Sequence, residues 1–182
     1  MPKVFPAEMA ILSVLSPVAQ PSIITEIELQ RGQLYWWGMK AEAKIVLIST
    51  YELGRQPFGL ASPAAWLRKR GYRVVCIDLA RQAWDESAVR EAYLIAIYLP
   101  MHTATRLAAQ LLPTLRAENP RAHICCYGLY APMNAEYLRS LGVRTILGGE
   151  FEKGLVHLAD RLAHLNGNGG GISEATSIDN MS

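Results

Sequence analysis

The fold is decided by one stretch. It runs Lys44-Ile45-Val46-Leu47-Ile48-Ser49-Thr50-Tyr51, then Glu52-Leu53-Gly54-Arg55-Gln56-Pro57-Phe58-Gly59-Leu60, then Ala61-Ser62-Pro63-Ala64-Ala65-Trp66-Leu67-Arg68-Lys69-Arg70-Gly71. Its first part is a short unbroken apolar run, the pattern of a strand covered on both faces. Its last part predicts a helix with Ser62 as N-cap, Pro63 at the first helical position and Gly71 just past the end. Leu60, Ala64 and Leu67 recur at helical spacing and give that helix one face for the sheet. Between the two lies a polar loop longer than a plain connection needs. In an open α/β sheet a loop at the carboxyl end of the first strand borders the ligand crevice.

Downstream the alternation repeats. Further strands are expected at Arg73–Asp78, Tyr93–Tyr98, His123–Tyr127 and Arg144–Leu147. A brief helix is expected between Trp84 and Arg90, capped by Asp85. The next helix places Leu107, Ala108, Leu111, Leu112 and Leu115 on one side, and Pro113 should kink or interrupt it. A helix from about Pro132 to Leu141 closes at Gly142. The last helix presents Phe151, Leu155, Leu158, Ala159 and Leu162 on one face. Strands alternating with helices imply a three-layer α/β fold: a five-stranded parallel sheet of order 2-1-3-4-5 with helices on both faces.

Outside this region the sequence changes character. Residues 1–42 contain Pro2, Pro6, Pro17 and Pro21 in a stretch of no clear period. Ile23 to Trp37 reads as a small hairpin turning at Arg31-Gly32. Met39 offers a second start just before the first strand, so residues 1–42 are either an N-terminal extension or an over-long gene start. Residues 43–165 form the folded domain, and 166–182, rich in Gly, Asn and Ser, read as a disordered tail or linker.

A chain of 182 residues with net charge +2 is long enough for one proper core, and its basic residues are scattered. Nothing in it points to nucleic acid or a membrane. No apolar stretch reaches the length of a membrane span, and no signal peptide is evident, which makes the cytoplasm the expected compartment. Cys76, Cys125 and Cys126 all fall in strand-like runs and are expected to be buried free thiols. Cys125 and Cys126 point to opposite faces and should not pair with each other.

The strand order places Ser49 to Gly59, Tyr98 to Thr103, Tyr127 to Tyr130 and Gly148 to Glu150 along one edge. That edge excludes several chemistries. A receiver domain needs an acidic pair after the first strand and an aspartate ending the third, where Ser49-Thr50 and Tyr98 stand instead. Neither GxGxxG nor GxxxxGK[ST] occurs. Glu52 would repel a phosphate lodged in the first loop. No Ser/His/acid or Cys/His set can be assigned, and no cysteine pattern suggests zinc or an iron–sulfur cluster. What remains is a rim of small and hydroxyl-bearing residues. Gly59, Gly128, Gly148 and Gly149 would leave room for a large ligand, with hydrogen bonds from Ser49, Thr50, Thr103 and the tyrosines. Gly148-Gly149 leading into a helix could also take an anionic group.

At this point the sequence resembles a family. Gln56 to Arg68 is similar to the "PxGL…LAAxLR" segment that opens the cobalamin-binding domains of radical SAM proteins. Tyr127-Gly128-Leu129-Tyr130-Ala131 and Gly148-Gly149-Glu150-Phe151-Glu152 resemble the later "xGxxA" and "xGExE" edges of those domains. The likeness spans Lys44 to about His164 and is nearest to the CUAEP/CCAEP-tail radical SAM subgroup. It implies a flavodoxin-like (Rossmann-like) sheet of the cobalamin-binding type. It further implies a corrinoid across the carboxyl ends of the strands, with its nucleotide tail inserted beside the sheet.

By position the resemblance puts Tyr98 and Thr103 near the corrin and tail, and Gly128 and Gly149 where the tail passes. Glu52 and Arg55 become candidates for contacts to corrin amides, beside Ser49, Thr50, Tyr51, Gly59, Tyr127 and Gly148. The sequence departs from the family's methyltransferases and mutases at the DxHxxG loop, where Tyr51-Glu52-Leu53-Gly54 has no histidine. That implies a base-off corrinoid with no histidine on cobalt. His102 is the one other imidazole on this edge, and a solvated or capping role suits it better than ligation. No CxxxCxxC motif is present. The expectation is therefore a cofactor module, either a fragment or a free-standing protein, serving a radical SAM domain or subunit elsewhere. Two other readings stay open: a degenerate scaffold for protein interaction, and a small flavin- or nucleotide-binding protein.

Overall fold

A computed structural model describes residues 44–53 and 55–167. Both the hairpin expected at Ile23 to Trp37 and the segment 168–182 lie outside the described residues. Five strands, β1 (Lys44–Ser49), β2 (Arg73–Asp78), β3 (Ala92–Tyr98), β4 (His123–Tyr127) and β5 (Thr145–Leu147), form one sheet of order β2-β1-β3-β4-β5. Every pairing is parallel. The flavodoxin-like architecture read from the sequence is the architecture observed. Six helices accompany the sheet among the described residues: α1 (Phe58–Lys69), α2 (Glu86–Arg90), α3 (His102–Glu118), α4 (Tyr130–Met133), α5 (Ala135–Ser140) and α6 (Phe151–Gly167).

Because successive strand residues point to opposite faces, the sheet divides its apolar side chains between two cores. Val46, Ile48, Ile95, Ile97 and Cys126 pack with α2, α3 and Leu138 of α5. Ile45, Leu47, Leu94, Ala96 and Cys125 pack against Leu60, Ala64 and Leu67 of α1 and Leu155, Leu158 and Ala159 of α6. The adjacent cysteines thus enter different cores, both buried and free, as expected. Burial pushes both thiols up, that of Cys126 to about 12, so neither is a ready thiolate.

The helix boundaries differ from the sequence reading in instructive ways. Helix α1 begins at Phe58, not after Ser62. Pro57 is its N-cap with no side-chain cap, and Ser62 and Pro63 sit inside it. A proline six positions into a helix leaves the carbonyl four residues earlier, that of Gly59, without its usual donor. The Tyr127 hydroxyl donates to that carbonyl at 2.7 Å. Helix α3 runs unbroken through Pro113, which is exposed, so the carbonyl released there can turn to water. The helix expected from Pro132 to Leu141 is instead two pieces. Asn134 separates them, its side-chain amide donating to the Tyr130 carbonyl at 2.7 Å and competing with the helical ladder. The brief helix capped by Asp85 is present, with the carboxylate accepting from the Ala88 amide at 2.9 Å.

Candidate functional site

The strands end together, and the residues singled out from the sequence line that carboxyl edge. Register places Ser49 beside Asp78 of β2 and Tyr98 of β3, and Tyr98 beside Tyr127 of β4. Ser49 and Thr50 are buried, Tyr51 and Glu52 half-buried. The Thr50 hydroxyl donates to the Ala104 carbonyl at 3.0 Å and ties the end of β1 to the first turn of α3. Arg55, His102 and Thr103 are exposed, as are Gly148 and Gly149 between β5 and α6.

Two polar atoms stand out. Ser49 Oγ and Glu52 Oε2 are the only buried side-chain oxygens or nitrogens without a hydrogen-bond partner among the described residues. Buried polar atoms are almost always paired, because stranding one costs about 1–3 kcal/mol. Burial, then the Asp78 carboxylate, holds the Glu52 carboxyl above its ordinary range. The same two residues bracket the start of the first loop. There Leu53 takes a left-handed φ of 41° with its side chain 67% exposed. Such backbone is uncommon for a residue with a Cβ and marks a segment held in place by its surroundings.

The same end of the sheet also carries exposed apolar side chains. Phe58 opens α1 with 70% of its surface exposed, and Leu129 and Met133, after β4, are each 70% exposed. Large apolar side chains left this bare at one end of a sheet are a candidate contact surface.

The glycines do not behave as expected. A Cβ at Gly59 would fall inside the Tyr98 ring. At Gly128, with φ +108°, it would lie 2.9 Å from the Leu99 carbonyl oxygen and 3.1 Å from Tyr98 Cε2. At Gly148 it would collide with Pro132. The room these three glycines make is filled by this chain's own side chains and backbone. Only Gly149, with φ +59°, faces open space. The bare rim expected from the sequence is therefore corrected: on the α1/α6 side it is filled by three aromatic rings. Tyr98, Tyr127 and Phe151 lie with ring centroids 5.4, 5.9 and 4.9 Å apart in the pairs Tyr98–Tyr127, Tyr98–Phe151 and Tyr127–Phe151. Tyr127 is fully buried.

Charge near these rings is negative. Burial, then Glu52 and Glu152, raises the Tyr98 phenol above its usual value. Glu152, in the first turn of α6, accepts from the Ser62 hydroxyl at 2.7 Å. Glu150 precedes that turn and is exposed. The start of α6, expected to suit an anionic group, already carries its own carboxylates.

For a corrinoid these features divide. The macrocycle's flat apolar body and amide-bearing margin fit an apolar rim with two unpartnered oxygens. An inserted tail does not fit beside Tyr98. Glu152 and the Phe151 ring were missed as site residues in the sequence. Phe151 was legible only as a core-facing position of the last helix, and the Ser62–Glu152 bond joins residues 90 positions apart, which no local pattern reveals. His102, exposed at the start of α3, belongs to no cluster of three or more His, Cys, Asp or Glu side chains, and no such cluster exists among the described residues. No described helix is long and apolar enough to cross a membrane.

Comparison with known proteins bears on the fold. No family model matches the chain, and no curated protein matches it significantly. Among solved structures, it is similar to the radical S-adenosylmethionine methyltransferase TsrM from Kitasatospora setae, determined with cobalamin and a [4Fe-4S] cluster bound. The TM-score is 0.57 at 16% identity, covering 68% of this chain and 27% of that one. It is also similar to a pilus assembly-related protein from Burkholderia pseudomallei, with TM-score 0.52 at 15% identity, covering 69% of this chain and 92% of that one. Likeness at such identities shows a shared fold, and this fold hosts unlike roles.

Proposed function

We propose that this chain is a corrinoid-binding module that holds a cobalamin-type macrocycle, with no histidine on cobalt, across the carboxyl edge of its sheet. The observation that carries the reading is the pair of stranded polar atoms, Ser49 Oγ and Glu52 Oε2, at the edge that also carries the exposed Leu53, Phe58 and Leu129. A corrin is a flat apolar ring fringed with primary amides. Its body would cover the rim, and its amide N–H groups would give the two oxygens the donors they lack. Glu52, half-buried in the first loop, offers its carboxylate as an acceptor to such an N–H. Tyr51, Arg55 and Thr103 lie along the same edge and are available to other amides, Thr50 being committed to the Ala104 carbonyl, and Gly149 leaves its backbone open. A bound corrinoid would supply a cobalt centre able to carry a methyl group.

The neighbour determined with cobalamin bound supports this reading through its fold alone, over a match that spans 27% of its length. By the same resemblance the partner is a radical SAM domain or subunit that carries the CxxxCxxC loop. A phosphate-led ligand such as a flavin nucleotide suits the edge less, because Glu52, Asp78 and Glu152 gather there.

The test is spectroscopic. The purified chain is mixed with a corrinoid, passed over a desalting column and read in the visible. Retained colour is expected, with affinity falling about tenfold in Ser49→Ala and in Glu52→Leu. A colourless protein without measurable affinity would favour the scaffold reading, and a yellow chromophore retained from expression would favour a flavin.

A further inference from the structure

We propose that Tyr98 makes this site select corrinoids by their tail, so that a corrinoid lacking the nucleotide binds more tightly than cobalamin. This rests on the corrinoid reading above and departs from the inserted tail that the family resemblance implies.

Three features point the same way. First, the slot between the sheet and α1 is already filled: Gly59 has no Cβ, and the Tyr98 ring lies where one would be. Second, the filling is anchored. Pro63 has no N–H for the Gly59 carbonyl, and the fully buried Tyr127 supplies the bond at 2.7 Å while its ring lies 5.4 Å from that of Tyr98. A tail entering beside Gly128 would meet the same Tyr98 ring at its Cε2. On the opposite face the space at Gly148 is closed by Pro132 of α4. Third, the charge is wrong for a tail. Its phosphodiester is an anion, and Glu52 and Glu152 both act on the Tyr98 hydroxyl. A corrinoid without the tail has lost that anion and needs only the rim.

To bind an inserted tail the protein must expel a half-buried aromatic ring, which is worth about a factor of ten in affinity. The experiment titrates the chain with cobinamide and cobalamin, both as dicyano forms so that neither tail is bound to cobalt, and follows visible absorbance. Cobinamide should bind about tenfold more tightly. Tyr98→Ala should narrow that ratio by strengthening cobalamin alone, and Tyr98→Phe, which keeps the ring, should preserve it. Circular dichroism checks that each variant is folded, and the wild-type ratio decides the matter even if Tyr98→Ala is not. Cobalamin binding as tightly as cobinamide to the wild type would overturn the inference, as would a folded Tyr98→Ala with an unchanged ratio. If neither corrinoid binds, the corrinoid reading itself fails and this one with it.

Discussion

The two ends of the sheet are built on different terms. At the amino-terminal edge, polar groups are joined. Asn119 shares its side-chain amide among the carbonyls of Val89, Arg90 and Ala92 at 2.8, 3.1 and 2.8 Å and accepts from the Ala122 amide at 3.0 Å. Lys44 pairs with Glu91 at 3.0 Å, Arg90 bridges Glu86 and Glu118, and His123 meets Thr145 at 2.8 Å. At the carboxyl-terminal edge, Ser49 and Glu52 keep buried oxygens without partners, and apolar side chains stand in solvent. One end holds the fold together. The other is left incomplete in a way that a ligand can complete.

If that contrast is real, polar deletions should have opposite consequences at the two ends. The largest effect belongs to Asn119→Ala, which removes a donor shared by three backbone carbonyls and the acceptor of the Ala122 N–H, and should lower stability by about 2–4 kcal/mol in urea denaturation while sparing ligand affinity. Loss of affinity with unchanged stability would break the comparison.

Next comes the aromatic plug. Tyr127→Phe leaves the Gly59 carbonyl without a donor and should cost about 1–2 kcal/mol. In a Pro63→Ala background the helix regains an N–H for that carbonyl, so the same substitution should cost about 1 kcal/mol less. Strict additivity in this double-mutant cycle would refute the proposed link.

A smaller effect is expected from His123. Burial, with lesser contributions from Arg144 and Arg161, pushes its pKa down to about 4 from 6.5. The unfolded chain therefore takes up a proton between those values that the folded chain refuses. Its contribution to stability is whole above pH 6.5 and declines as pH falls toward 4. Urea midpoints at several pH values should show the decline in the wild type and a flatter profile in His123→Gln.

The smallest change in stability is predicted for Ser49→Ala. Removing an unpartnered buried hydroxyl should leave stability unchanged or raise it by up to about 1 kcal/mol, while corrinoid affinity falls. A clear destabilisation would mean that the hydroxyl is partnered within the fold.

Much of this was legible in the residues. The apolar runs of β1 to β4 carry their own period and length, and the alternation of strand and helix implies a parallel sheet, for which 2-1-3-4-5 is one of the common orders. The membership of the carboxyl edge followed from topology, since the candidates from Ser49 to Gly149 sit at strand ends, in the loops after them or, for Gly59 and Thr103, in the first turn of the next helix. What the residues hid was occupancy. Gly59, Gly128 and Gly148 look like open space because glycine has no side chain, but who fills that space depends on residues 98, 99 and 132, far away in the chain. The start of α1 was hidden for a local reason: Ser62-Pro63 imitates a helix entry that Pro57 already provides. Legible but unread was the link from Pro63 to Gly59 and Tyr127, since an internal proline always frees a carbonyl.

The most direct test is a map of where a corrinoid touches. An amide nuclear magnetic resonance titration of the chain with dicyanocobinamide should shift resonances at 49–53, 98–103, 127–130 and 149–152, and leave Asn119, His123 and their neighbours unmoved. Shifts centred on the amino-terminal edge, or none at saturating corrinoid, would contradict the account.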